Sequence, residues 1–107
     1  VAIDYGSRDE LTRAFQKIYK KGIASPGMIT ETLISSALDT AQQPYPDPDF
    51  VIRAGKVCRL SGFMLWQAAY GELYFPQKNF PEFTIDDLKM AIVEFGRRKR
   101  SFGVDVV

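Results

Sequence analysis

The chain has 107 residues, 46% hydrophobic and 13% aromatic, which is enough for one small packed domain and too apolar for general disorder. Its 14 basic and 13 acidic residues leave a net charge of +1, so there is no global pull toward nucleic acid or an anionic membrane. One cysteine and no histidine exclude an internal disulfide framework, a zinc centre and a histidine-based triad within the chain; they point to a reducing cytosol, and no apolar run reaches the ~20 residues of a membrane span.

Val1-Ala2-Ile3 reads as a buried strand that wants neighbours on both sides. A chain that opens in mid-sheet is expected to be the C-terminal portion of a single domain about twice as long. After Gly6, Ser7-Arg8-Asp9-Glu10 has the Ser-x-x-Glu spacing of a capping box, and Leu11, Ala14, Phe15 and Ile18 follow at helical spacing. Lys20 and Lys21 favour the helix's negative end, and Gly22 is a stop. Ser25-Pro26-Gly27 is a turn, and Thr30 caps a second helix carrying Leu33, Ile34, Ala37 and Leu38. Ala41 to Pro48, with Pro44 and Pro46, is a loop, and Phe50-Val51-Ile52 is a short apolar strand.

Arg53, Arg59 and Ser61 occupy the basic loop after that strand. A guanidinium binds phosphate oxygens with a planar fork of donors, and ligands of open α/β sheets bind at the carboxyl ends of strands. Phe63 to Tyr70 is apolar all round, as in a helix buried on most faces. Glu72-Leu73-Tyr74-Phe75 is a further strand ended by Pro76. Thr84 caps a last helix whose stripe is Leu88, Ala91, Ile92 and Phe95, and which runs into Arg97-Arg98-Lys99-Arg100.

The order of strand, arginine loop, Leu-Trp-Gln segment, Glu-Leu-Tyr-Phe strand and basic tail ending in Phe102-Gly103 resembles the C-terminal half of a cis-prenyltransferase of the undecaprenyl diphosphate synthase family. The family's signature reads Asp-Pro-Asp-Leu-Leu-Ile-Arg-Thr-(Gly/Ser)-Gly-Glu-x-Arg-Leu-Ser-Asn-Phe-Leu-Leu-Trp-Gln, and residues 47–67 are similar to it. Tyr5 to Glu10 resembles the family's Asn-Tyr-Gly-Gly-Arg-Asp-Glu. Ala69 to Phe75, Phe80 to Phe83 and Arg97 to Gly103 resemble Ala-Tyr-x-Glu-Leu-Tyr-Phe, Trp-Pro-Asp-Phe and the family's basic C-terminal Arg-x-Phe-Gly.

The resemblance implies an α/β fold, part of a mostly parallel sheet flanked by helices, with the N-terminal strands missing from this chain. It implies a Mg²⁺-dependent homodimer that joins isopentenyl diphosphate to an allylic diphosphate; the cysteine count points to the cytoplasm, with at most peripheral membrane contact, and the balanced charge argues against nucleic acid as partner. Arg53, Arg59 and Ser61 fall on positions that bind isopentenyl diphosphate; Arg100 and Gly103 fall on a tail segment that reaches toward the partner subunit's site; Glu72 falls on a carboxylate that assists the metal. The family's catalytic Asp belongs to an N-terminal Asp-Gly-Asn-Gly-Arg loop, so no catalytic residue is assigned here and the chain alone is expected to be inactive.

The loop departs from the pattern at Ala54, Lys56, Val57 and Gly62, with Cys58 where some members carry His. Those changes leave a second reading open, a non-catalytic partner subunit of a cis-prenyltransferase complex. Read without the resemblance, Arg53 is either an anion-binding group or a salt-bridge partner, and Glu72 is a strand-edge surface acid. Cys58 reads as a small apolar filler, with a reactive thiol beside Arg59 as the alternative, and Phe63, Trp66 and Tyr70 read as core, with dimer interface or tunnel lining as alternatives. The run Arg97 to Arg100 is a solvated helix end, a diphosphate contact across a dimer or a weak attraction to lipid headgroups.

Overall fold

The computed structural model describes residues 1–104, which form two compact units. The first comprises Val1–Asp47 and Ser61–Gln67; the second comprises Pro48–Leu60 and the described residues from Ala68 onward.

In the first unit, α1 spans Ser7–Lys20 and α2 spans Glu31–Ala37, with a 3-10 turn at Pro26–Met28 between them. The helical spacing of α1 buries Ala14 and Ile18 against Ala37 and Leu38, and Leu11, Ile23, Leu33, Ile34 and Trp66 pack around that cluster. Thr30 caps α2 as expected, its hydroxyl accepting from the Leu33 amide at 3.1 Å. Gly22 (φ 78°) takes the left-handed conformation just past the end of α1, where its amide closes on Tyr19 O. On the surface, Arg13 pairs with Asp9 at 2.8 Å and forks onto both oxygens of Asp39 at 2.7 and 2.8 Å. That fork holds the Asp39 carboxyl below the usual carboxylate range.

Three local expectations are corrected in this unit. Val1–Ile3 form no strand among the described residues; strand-like residues need a pairing partner to build a ladder. Gly6, not Ser7, is the N-cap of α1, and no side chain caps it. The Ser7 hydroxyl instead accepts from the Leu65 amide at 3.0 Å, and Glu10 turns away from the helix start. Phe63–Gln67, in the expected apolar helix, are bends and turns. Ser61 (φ 52°) and Met64 (φ 48°) are left-handed, a conformation that interrupts a helix and costs on the order of 1 kcal/mol per non-glycine residue.

In the second unit, β1 (Phe50–Ile52) and β2 (Glu72–Tyr74) pair in parallel, Phe50 opposite Glu72 and Ile52 opposite Tyr74. The ladder extends at both ends through Glu72 N to Asp49 O and Arg53 N to Tyr74 O, each 2.9 Å. The expectation of a parallel α/β arrangement holds here. Helix α3 spans Ile85–Arg97 and buries Ala91, and Phe95 stacks on Phe50 with ring centroids 4.8 Å apart. The residues of this unit from the expected apolar helix, Ala68–Tyr70, are also turns, and Tyr70 is exposed. Cys58, expected as an apolar filler, is exposed.

Thr84 caps α3 reciprocally: its hydroxyl accepts from Asp87 N at 3.2 Å, and the Asp87 carboxylate accepts from Thr84 N at 2.8 Å. The Thr84 amide, helped by Lys78 Nζ at 3.0 Å, holds the Asp87 carboxyl below its ordinary range. Thr84→Ala is expected to cost about 1 kcal/mol, read as a lower midpoint in chemical denaturation with an unchanged slope. An unchanged midpoint would mean that Asp87 alone holds the helix start.

Candidate functional site

The basic loop leaves the carboxyl end of β1. Arg53 is its first residue, half-buried, with its backbone amide still in the ladder and its guanidinium Nη1 donating to the carbonyl of Arg59. The loop therefore curls so that Arg59 O comes to Arg53, and both residues belong to the second unit. Gly55 (φ 123°) and Lys56 (φ 59°) make the reversal, and Gly55 N is fixed to Lys78 O at 2.8 Å. The Arg59 residue is exposed. A guanidinium at a strand end, braced by the backbone of a second arginine on the same loop, is a fork donor suited to a phosphate-bearing ligand.

Ser61 lies in the first unit, at the start of its Ser61–Gln67 stretch, and is exposed. The structure thus brings Arg53 and Arg59 together within one unit and assigns Ser61 to the other.

A second group converges within the second unit. A cavity of about 330 Å³ is lined by Ala69, Tyr70, Gly71 and Glu72 on one side and by residues 99–103 on the other, so Glu72, Arg100 and Gly103 share it. Glu72 opens β2 and accepts from Arg98 Nη1 at 3.2 Å, while Arg98 also donates to Leu73 O at 2.6 Å. Arg100 donates to Asp49 Oδ1 at 2.6 Å and to Tyr70 O at 3.1 Å, and lies 4.4 Å over the Phe102 ring. Gly103 (φ 79°) passes so close to Tyr70 that a Cβ there would lie 2.9 Å from its ring.

Sequence reasoning missed Arg98 and Asp49. Arg98 was one member of a basic run, and nothing in its spacing distinguishes the residue that reaches Glu72 from its neighbours. Asp49 stands next to the strand, but its pairing with Arg100 spans half the chain.

Among the described residues no three His, Cys, Asp or Glu side chains cluster as metal ligands. Mg²⁺ ordinarily takes one or two carboxylates and completes its shell with water and substrate phosphates. Glu72, a single carboxylate on the cavity wall, fits a metal carried on a diphosphate and not an all-protein site.

Residues 1–103 match the family model described as putative undecaprenyl diphosphate synthase. The chain belongs to the undecaprenyl diphosphate synthase family. It is similar to the isoprenyl transferase of Rhodopirellula baltica, 46% identical over 106 residues that cover 96% of this chain and 43% of the relative. It is likewise similar to the isoprenyl transferase of Chlamydia trachomatis, 47% identical over 106 residues, 95% of this chain and 41% of that one. Among solved structures, lavandulyl diphosphate synthase from Lavandula x intermedia in complex with dimethylallyl diphosphate superposes with a TM-score of 0.89 at 39% identity, covering 95% of this chain and 44% of that chain. A probable undecaprenyl diphosphate synthase from Campylobacter jejuni superposes with a TM-score of 0.80 at 38% identity, over 95% and 45%. The chain spans less than half the length of each of these relatives. Among its described residues no helix is long and apolar enough to cross a membrane.

Proposed function

We propose that this chain is the C-terminal portion of a single cis-prenyltransferase domain that condenses isopentenyl diphosphate with an allylic diphosphate. In this reading the chain supplies the half that binds isopentenyl diphosphate, together with a homodimer interface, in the cytoplasm. The observation that carries the reading is the bracing of Arg53 on Arg59 at the end of a parallel strand, in a chain of this family. Arg53 and Arg59 grip the diphosphate with their forks, and Ser61, two residues further along, adds a hydroxyl donor. Arg100 and Gly103 belong to the tail segment offered to the partner subunit's substrate. Glu72 would hold Mg²⁺, which when bound offsets the negative charge of a diphosphate. The chain's own contribution is to hold isopentenyl diphosphate by its diphosphate, so that its double bond is placed against the allylic carbon from which the other diphosphate leaves.

The test is prenyl transfer from the two diphosphates by the full-length protein, with and without EDTA. Product that depends on Mg²⁺, and none from residues 1–107 alone, is expected. Turnover by residues 1–107 alone would overturn the division of labour. Lys56 and Val57, which depart from the family's loop, favour a second reading as a non-catalytic partner subunit. That reading predicts product only when a separate catalytic chain is added.

A further inference from the structure

The Ser61–Gln67 stretch has no helical or strand ladder of its own, and Ser61 and Met64 hold the left-handed conformation that non-glycine residues avoid. A backbone of that kind keeps one shape only where its surroundings fix it. Within the first unit four contacts do so. The amide of Ser7 donates to Gly62 O at 2.7 Å, and the hydroxyl of Ser7 accepts from Leu65 N at 3.0 Å. Trp66 Nε1 donates to Ser35 Oγ at 2.9 Å. At the end of the stretch, Gln67 Nε2 donates to both carboxylate oxygens of Glu10, at 3.0 and 3.1 Å.

The last contact is the most heavily built. Glu10 is 1% exposed and Gln67 is 3% exposed. Glu10 also accepts from the Tyr5 hydroxyl and, at 2.8 Å, from the Asp39 amide, and Gln67 Nε2 lies 3.2 Å from Thr40 Oγ1. A carboxylate buried so completely in a helix of a small domain costs solvation, and here it is met by three donors from three separate segments. Its removal would strip acceptors from all of them at once.

We propose that Glu10 and Gln67 are positioning residues for Ser61: their buried pair locks the strained turn that carries the serine hydroxyl and thereby sets the affinity for the diphosphate of isopentenyl diphosphate. This rests on the substrate reading given above. Neither side chain touches substrate; both act through the backbone that joins Gln67 to Ser61.

The test is Gln67→Leu in the full-length enzyme, with both substrates' kinetics and thermal unfolding measured. The KM for isopentenyl diphosphate should rise about tenfold, the scale of a small misplacement of a binding group, while the KM for the allylic diphosphate stays put. The exchange of Glu10→Gln with Gln67→Glu restores a carboxylate–amide pair and should recover most of the loss. A folded Gln67→Leu enzyme with wild-type KM values would overturn the role, as would equal shifts for both substrates or an exchange variant no better than the single one. If Gln67→Leu does not fold, Glu10→Gln, which keeps the shape and gives up one acceptor, is read by the same criteria. Arg53→Ala in parallel separates the two layers. If it leaves the isopentenyl diphosphate KM unchanged, the substrate reading fails; if it raises that KM and Gln67→Leu does not, only the positioning role falls.

Discussion

On the proposed function, Arg53→Ala in the full-length protein is expected to lower kcat/KM for isopentenyl diphosphate by roughly 100-fold, equivalent to about 3 kcal/mol, the upper range for one lost charged hydrogen-bonding group. The guanidinium stands at the end of β1 and is steadied by the Arg59 carbonyl, so its fork is held in place before ligand arrives. Pre-organisation of that kind is what makes a cation worth more than an average surface charge. The fold should survive the change. The Arg53 backbone amide keeps its 2.9 Å bond to Tyr74 O whatever the side chain, and the side chain is half-exposed. Steady-state kinetics with each diphosphate varied in turn, beside thermal unfolding, separate the two effects. Arg53→Lys should fall between the two enzymes, because an ammonium keeps the charge and loses the planar pair of donors. Wild-type kinetics in a folded Arg53→Ala enzyme would remove Arg53 from the substrate site.

Gly71→Ala is expected to destabilise the protein by about 2 kcal/mol, the usual scale for forcing extra volume into a packed place. A Cβ on Gly71 would stand 2.7 Å from Pro48 O and 3.5 Å from Ala68 O, and both of those atoms are backbone. The chain cannot yield easily there. Gly71 N is bonded to Ala68 O at 3.0 Å, and the next amide, Glu72 N, opens the pairing with β1 at Asp49 O. The methyl group would push β2 away from β1 at its first rung and carry Glu72 with it. The same substitution at Gly96, which sits inside α3 with nothing within 4 Å of its would-be Cβ, should be neutral or stabilising. Calorimetry on the two variants is decisive: a Tm lowered by on the order of 5 °C at Gly71 and not at Gly96 supports the close-approach account. Equal behaviour at the two positions would show that backbone entropy, not contact, governs both.

Much of the architecture was legible because it depends on neighbours in the chain. Leu11, Ala14 and Ile18 at helical spacing, the Thr30 and Thr84 caps and the Gly22 stop each use partners within four residues, and each is where the spacing puts it. Phe50–Ile52 and Glu72–Tyr74 were legible as strands from short β-favouring runs bounded by loop and turn residues. The family, too, was carried by motifs at fixed spacing, and with it the nomination of Arg53 and Arg59.

The failures share one cause. Ser7 and Glu10 have the spacing of a capping box, but Ser7 serves Leu65 and Glu10 serves Gln67, Tyr5 and Asp39. Phe63–Tyr70 has the apolar content of a buried helix, but its first part is tied down by α1 and α2 in a shape no local rule describes. The basic run at the end of α3 looked uniform, but Arg98 and Arg100 have particular partners in Glu72, Asp49 and Tyr70. By itself, then, the sequence determined α1, α2, α3, the β1–β2 pair of strands and the family they compose, since those depend on hydrophobic period and short-range hydrogen bonds. Only the tertiary structure decided where each polar side chain spends its hydrogen bonds, because a buried carboxylate or guanidinium takes whichever partners folding brings to it, however far away they lie along the chain.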